Sequence, residues 1–336
     1  MFDFVSFIPR AIVQGIPLLF GSTGETLTEK SGNLNLGIPG IMYVGGICGV
    51  IGAFLYEHAV PAPGALNPFL AILIPLLSSL LGSLLMGLLY CFLTVTLRAN
   101  QNVTGLAMTT FGVGFGNFFG GSLIKLSGAD VPSIALSRTS AFFSASLPFS
   151  GKLGWFGKIF LSYGFLAYAA VIIAFICAYI LRRTRIGLQL RAVGENPNTA
   201  DAAGINVTKY KYWATIIGAG ISGIGGLYYV LDYNNGIWAT TTQIEALGWL
   251  AVALVIFTTW KPLNAIWGAY LFGMLYWLYQ FLPTLLGITL ASYMTDLVQM
   301  LPYVVTVLVL IAVSMRKKKE DQPPAHLGLP YFREER

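Results

Sequence analysis

The sequence predicts an all-α polytopic membrane protein with about nine transmembrane helices. Two observations carry this. Charged residues make up only 10% of the 336 residues while hydrophobic ones make up 56%, with a mean hydropathy of +0.71. The apolar residues also fall into long blocks that recur from end to end. A soluble domain would carry roughly 25% charged residues, and a disordered chain needs the reverse composition. A β-barrel would alternate polar and apolar residues over ~10-residue segments, whereas these blocks are unbroken.

Taken in order, the first candidate is Phe4–Phe20, interrupted by Pro9, Arg10 and Pro17. It reads as a crossing helix or as a re-entrant or peripheral segment. Asp3 and the lack of a basic run before it make a poor secretory signal. A polar loop from Gly24 then leads into the first clear block. Gaps free of Asp, Glu, Lys and Arg follow from Lys30 to Glu57, Glu57 to Arg98, Arg98 to Lys125, Lys158 to Arg182, Lys211 to Asp232, Glu245 to Lys261, Lys261 to Asp296 and Asp296 to Arg316. A helix needs about 20 apolar residues to cross, so these gaps give spans near 38–56, 69–97, 104–122, 160–181, 212–231, 245–260, 263–282 and 297–315. Pro68 and Pro262 suit helix starts, where a missing N–H costs little, and Pro75 suits a kink in the long second block. The chain divides into a transmembrane domain, 1–315, and a tail, 316–336.

Orientation follows from lysine and arginine. With RKKKE (Arg316–Glu320) in the cytoplasm, fifteen of the twenty basic residues fall on that side, including Lys30, Arg98, the stretch 182–211 and Lys261. Arg10, Lys125, Arg138, Lys152 and Lys158 fall outside. The C-terminus is thus expected in the cytoplasm of a plasma membrane and, with nine spans, the N-terminus outside. The net charge of +6 reflects this bias, and no nucleic-acid partner is implied.

No catalytic constellation is visible. Cys48, Cys91 and Cys177 sit in apolar blocks and form neither a disulfide framework nor a metal pattern, and His58 and His326 have no catalytic partners. No metal or cofactor is expected. Asp232, Glu245 and Asp296 map to outer ends of spans, which counts against an ion-coupled carrier or channel, since these place acids at mid-membrane. Glycines in FGVGFGNFFGG (Phe111–Gly121) and GAGISGIGG (Gly218–Gly226) suit close helix packing, or backbone lining a path.

Two cytoplasmic segments stand out. In Gly24–Gly46, Asn33 and Asn35 sit at a turn, where their amides either cap the next helix or face a polar cavity. With Thr109, Thr110, Asn117 and Gln280 they are the candidate pathway residues. In Arg182–Lys211, Asn196 can cap a helix, Pro197 suits its first position and Gly204 its end. A short helix near Pro197–Ala203, with small contact positions Ala200, Ala202 and Ala203, would dock into another protein. The alternative is a solvated loop held to anionic membrane lipid by its arginines and lysines.

Four stretches carry a resemblance: EKSGNLNLGIPGIM (Glu29–Met42); Arg185-x-Gly187-x-x-x-Arg191-Ala-x-Gly194-Glu195-Asn196-Pro197 with Ala202-Ala203-Gly204-Ile205-Asn206; WKPLNAIWGA (Trp260–Ala269); and GLPYFR (Gly328–Arg333). They resemble the permease subunits of bacterial ABC importers in the branched-chain amino acid, ribose and nucleoside group. The similarity is greatest to nucleoside permeases that work with a basic-membrane-protein-type lipoprotein. Pro39 stands where the family usually has Glu, a departure. The resemblance implies a solute pathway for nucleosides or related ribosides, with simple sugars or branched-chain amino acids as the alternative. It also implies a homologous second permease, an extracytoplasmic substrate-binding lipoprotein, and a separate ABC ATPase that uses the ATP, so that this chain is no enzyme. Arg191, Gly194, Glu195, Asn196, Pro197, Ala200, Ala202, Ala203 and Gly204 then belong to a coupling helix that contacts the ATPase.

Overall fold

The computed structural model describes residues 4–60, 66–127, 133–147, 150, 154–239, 243–286, 294, 297–298, 300–316 and 321–333. Helix α1 runs unbroken over Phe4–Glu29, through Pro9 and Pro17. At 1.5 Å per residue its 26 residues reach about 39 Å. The polar loop expected from Gly24 is therefore absent: residues 24–29 are the last turns of α1. The reason is burial. Thr26, Thr28 and Glu29 are nearly or fully buried, and backbone polar groups away from water are satisfied within a helix. Gly24 also meets the facing helix so closely that a Cβ there would lie 2.2 Å from the Gly218 carbonyl oxygen.

A turn over 30–37 leads into α2, Ile38–Ala59. Helix α3, Pro68–Cys91, is capped by Asn67, whose Oδ1 accepts the Phe69 N–H at 3.0 Å, and ends in a π-helical turn, Phe92–Thr96. Helix α4 covers Gln101–Ser127. The expected long loop after it holds strand β1 (Ser133–Ala135) and two short helices, α5 (Ser137–Phe143) and α6 (Gly154–Phe160). Helix α7 follows over Phe165–Arg183, beginning later than the expected 160 because residues 161–164 break from α6. The basic segment is itself helical: α8 (Arg185–Glu195) and α9 (Pro197–Ala202) precede α10 (Val207–Tyr228), which closes in a second π turn, Tyr229–Tyr233. Strand β2 (Ile237–Ala239) pairs antiparallel with β1, Trp238 opposite Ile134. Helices α11 (Gln243–Phe257), α12 (Pro262–Leu286) and α13 (Leu301–Arg316) complete the order.

Among the described residues, α2, α3 with its π turn, α7, and α10 with its π turn are long and apolar enough to cross a membrane, and α11 is a shorter apolar helix. This is an all-α, multi-pass membrane architecture. Helices α1, α2 and α10 form its centre, with α3 on α2 and α10, α4 on α2, α12 on α1, and α7 on α1 and α12. The apolar windows of α2 and α10 are 83% buried and that of α3 only 28%, which separates the central helices from a peripheral one. The glycine runs serve the close packing: Gly223 faces Gly45 and Gly112 faces Gly40, backbone against backbone. Lipid offers no hydrophobic drive for association, so such van der Waals contact does the holding.

Candidate functional site

The segments singled out in the sequence converge at one end of the bundle. The turn after α1 is held by its own backbone, with Gly32 at φ +82°. Its Leu34 N–H donates to Gln101 Oε1 at 2.7 Å and its Leu34 carbonyl accepts from the Tyr90 hydroxyl. Gly194 of α8 lies directly on this turn, where a Cβ would come 2.3 Å from the Lys30 carbonyl oxygen. The turn before α12 joins through Trp260, whose indole N–H donates to Glu29 Oε2.

Helix α9 follows α8 and packs on it and on α10. The Asn196 Oδ1 accepts the Thr199 N–H at 3.0 Å, Pro197 occupies the first turn, and Gly204 leaves the helix at φ +83°. The start and stop signals therefore act as the sequence indicated. Ala200 is turned inward, 3% exposed, against Val193 and Val207. Ala202 and Ala203 are exposed, as are Arg191 and Glu195. The outward surface of α9 is thus small and flat at two of the three alanines.

The tail lies across all of these parts. The His326 N–H donates to the Gly194 carbonyl at 3.0 Å, and the Gly328 N–H reaches the Gly32 carbonyl at 3.4 Å. The Leu329 carbonyl accepts from Gln101 Nε2 at 3.4 Å. Asp321 pairs with Lys261 at 2.6 Å. The Tyr331 hydroxyl donates to Asp201 Oδ2 at 3.0 Å, Arg333 Nε lies 3.4 Å from the same oxygen, and the Arg98 guanidinium sits over the Phe332 ring at 4.7 Å. Burial, with Lys211 nearby, lowers the His326 pKa against the opposing effect of its backbone hydrogen bond.

The pathway candidates are not brought together. Asn33, Asn35 and Thr109 are buried. The Asn33 amide donates to Thr215 Oγ1 at 3.1 Å, Asn35 Oδ1 accepts the Gly37 N–H at 2.9 Å, and Thr109 Oγ1 donates to the Leu36 carbonyl at 2.9 Å. Thr110 and Asn117 are exposed on α4, and Asn117 Oδ1 accepts the Tyr43 hydroxyl at 2.7 Å. Gln280 falls in α12, and its side chain lies outside the described residues.

Sequence reasoning missed Glu25 and Glu29, one turn apart and buried in the last turns of α1. Glu25 Oε1 accepts the Asn35 N–H at 3.1 Å, and Glu29 takes the Trp260 indole. Their i, i+4 spacing was the available signal. Among the described residues no cluster of His, Cys, Asp and Glu is suited to a metal.

Comparison with known proteins identifies the family. The profile of the family described as branched-chain amino acid transport system / permease component matches residues 7–313. The chain belongs to this family. As a permease component it is a transport subunit and not an enzyme. Among its relatives, the guanosine ABC transporter permease protein NupQ of Bacillus subtilis is 30% identical, over 98% of this chain and 97% of the relative. The putative glucose ABC transporter permease protein TsgC13 of Haloferax volcanii is 31% identical over 81% and 77%. The nucleoside ABC transporter permease protein NupC of Lactococcus lactis is 29% identical over 90% of each. No solved structure matches the chain.

Proposed function

We propose that this chain is the permease subunit of a bacterial plasma-membrane ABC importer for nucleosides. The observation that carries the substrate class is end-to-end similarity to NupQ and NupC, whose names give guanosine and nucleosides. TsgC13 favours a second reading, a sugar such as glucose. In either case the chain pairs with a homologous permease, an ABC ATPase and an extracytoplasmic binding lipoprotein.

The nine spans in this reading are α1, α2, α3, α4, α7, α10, α11, α12 and α13, with the N-terminus outside and the C-terminus cytoplasmic. The basic residues of the α8–α9 segment and the turn at Lys261 support that orientation. Helix α9 is the coupling helix: it is capped at both ends, braced from within by Ala200, and presents Ala202 and Ala203 to the ATPase. On α4, Ala107, Thr110, Gly114, Asn117 and Gly121 follow a three–four spacing, and a Cβ at Gly114 or Gly121 would meet nothing within 4 Å. This face lines the pathway toward the second permease, with Gln280 as a further candidate, while Asn33, Asn35 and Thr109 lock the turn beneath it.

The test is ATP-driven uptake by the reconstituted complex with guanosine, glucose and leucine as parallel substrates. Nucleoside uptake is expected. Uptake of glucose without nucleosides would move the assignment to sugars, and ATP-independent uptake of any of them would overturn the ABC reading.

A further inference from the structure

Two cavities lie along the seam where α7 packs against α12. In the first the C-terminal end of α7 meets the N-terminal end of α12, and in the second the earlier half of α7 meets later residues of α12, so the helices run in opposite directions. The first cavity, about 340 Å³, lies at the Lys30 end of the bundle. Its wall carries four cations, Lys30, Arg182, Arg191 and Lys261, against one acid, Glu195. Asp321 pairs with Lys261 at 2.6 Å, which leaves a formal excess of two positive charges. The cations crowd one space: burial lowers the Lys30 pKa, Arg191 and Lys261 lower it further, and Glu195 and Glu29 oppose them. The amide of Gln322 and the indole of Trp260 complete the polar wall, and Leu181 of α7 and Leu263 of α12 are among its apolar residues.

The second cavity, about 520 Å³, lies further along the same seam and has an almost wholly apolar wall that includes Val171, Leu271, Met274 and, from α1, Ile12 and Ile16. From Leu181 back to Val171 is about 15 Å of helix, which matches the depth of one leaflet's hydrocarbon layer of roughly 15 Å. Trp267 lines this cavity, is 77% exposed, and follows the basic cavity by about one turn of α12. Amphipathic rings in that position favour the membrane–water interface.

We propose that this seam binds one anionic glycerophospholipid, its phosphate among Lys30, Arg182, Arg191 and Lys261 and an acyl chain along α7 and α12 into the apolar cavity. A free anion would use only the first cavity, and an acidic protein segment has no chemistry for the second. A charged headgroup on a hydrocarbon chain fits both, with the ten-residue length of α7 between Leu181 and Val171 spanned by the chain. Because Arg191 belongs to α8 and Lys261 to the turn before α12, the lipid ties the α8–α9 segment to the bundle.

The experiment is native mass spectrometry of the full-length permease released from micelles doped equally with dioleoyl phosphatidylglycerol and dioleoyl phosphatidylcholine. The wild type should retain the anionic lipid preferentially. Basic residues near a membrane surface are worth about fivefold each toward anionic lipid. Arg182→Gln with Lys261→Gln should therefore cut that preference by roughly thirtyfold, while Arg183→Gln, outside the cavity, leaves it intact. Val171→Phe fills the apolar cavity and should weaken retention of the long-chain lipid without changing binding of glycerol phosphate. Size-exclusion elution as wild type confirms that each variant is folded. Equal retention of both lipids by the wild type would overturn the proposal, as would an unchanged preference in the double variant. Displacement by inorganic phosphate, with no effect of Val171→Phe, would assign the basic cavity to a free anion and overturn the lipid. Anionic preference restored only by adding the ATPase would assign it to the partner protein instead.

Discussion

Replacing Gly194 by Ala should uncouple transport from ATP hydrolysis while leaving the bundle in the membrane. An added Cβ would lie 2.3 Å from the Lys30 carbonyl oxygen and 3.1 Å from the Gly32 nitrogen, both backbone atoms that have no rotamer by which to give way. To reach ordinary van der Waals contact, α8 must move off the turn by roughly 1 Å. Overpacking of this kind costs ~1–3 kcal/mol, and the turn cannot relax freely. Tyr90, Gln101 and Glu25 hold it through Leu34 and Asn35. The displacement therefore falls on α8, and with it on α9 and on the tail contact at the Gly194 carbonyl. The spans are untouched, so membrane abundance should match the wild type. The assay is solute-stimulated ATP hydrolysis and uptake by the reconstituted complex, both expected to fall about five- to a hundredfold, the equivalent of 1–3 kcal/mol. Wild-type uptake and stimulation by Gly194→Ala at equal abundance would refute the reasoning.

Three further outcomes follow from the same geometry. Ala202→Trp and Ala203→Trp, on the exposed surface of α9, should lower co-purification of the ATPase without lowering permease abundance, whereas Ala200→Trp should destabilise the permease itself. Normal ATPase capture by both surface variants would show that α9 is not the contact. Tyr331→Phe removes a hydrogen bond to the Asp201 carboxylate, worth about 1.5 kcal/mol, so the docked fraction of the tail should fall by about tenfold relative to the undocked. A nitroxide at Leu329→Cys, in a background lacking Cys48, Cys91 and Cys177, reads this as a mobile component in its spectrum, and an unchanged spectrum would remove Tyr331 from the docking. The same probe tests His326. Its folded pKa is lowered by burial below the usual 6.5, so the docked state holds fewer protons than the free tail. Docking is therefore complete above the free pKa and weakens as pH falls through the lowered one. Mobility should rise between pH 7.5 and 5 and stay flat in His326→Gln, and a pH-independent wild type would contradict this.

The helices were legible because hydropathy and charge act locally. Charge-free gaps located the major spans, and Pro68 and Pro262 lie at the first positions of α3 and α12. Asn196, Pro197 and Gly204 marked α9 because capping is decided within four residues. The end of α1 was illegible for the opposite reason. Gly24, Thr26 and Thr28 have a loop's composition, and only their burial against α10 makes them helical. The π turns that close α3 and α10 likewise have no sequence signal of the kind that caps provide.

The same distinction bears on the buried acids. Glu25 and Glu29 lie in a stretch with a loop's composition and so carry no mark of carboxylates inside a helix bundle, the feature whose absence counts against an ion-coupled carrier. Their burial removes the force of that argument, and family membership now excludes the alternative in its place. Their partners suggest what the acids do instead. Glu25 is bonded to the backbone of the turn at Asn35, and Glu29 to Trp260 of the turn before α12. On the outer side of the same turn, Gly194 and the tail complete the contact. The end of α1 is therefore fixed to α12 from within and to the α8–α9 segment from without. Under the coupling role proposed for α9, a force on it reaches the central helix α1 through α8 and this single turn.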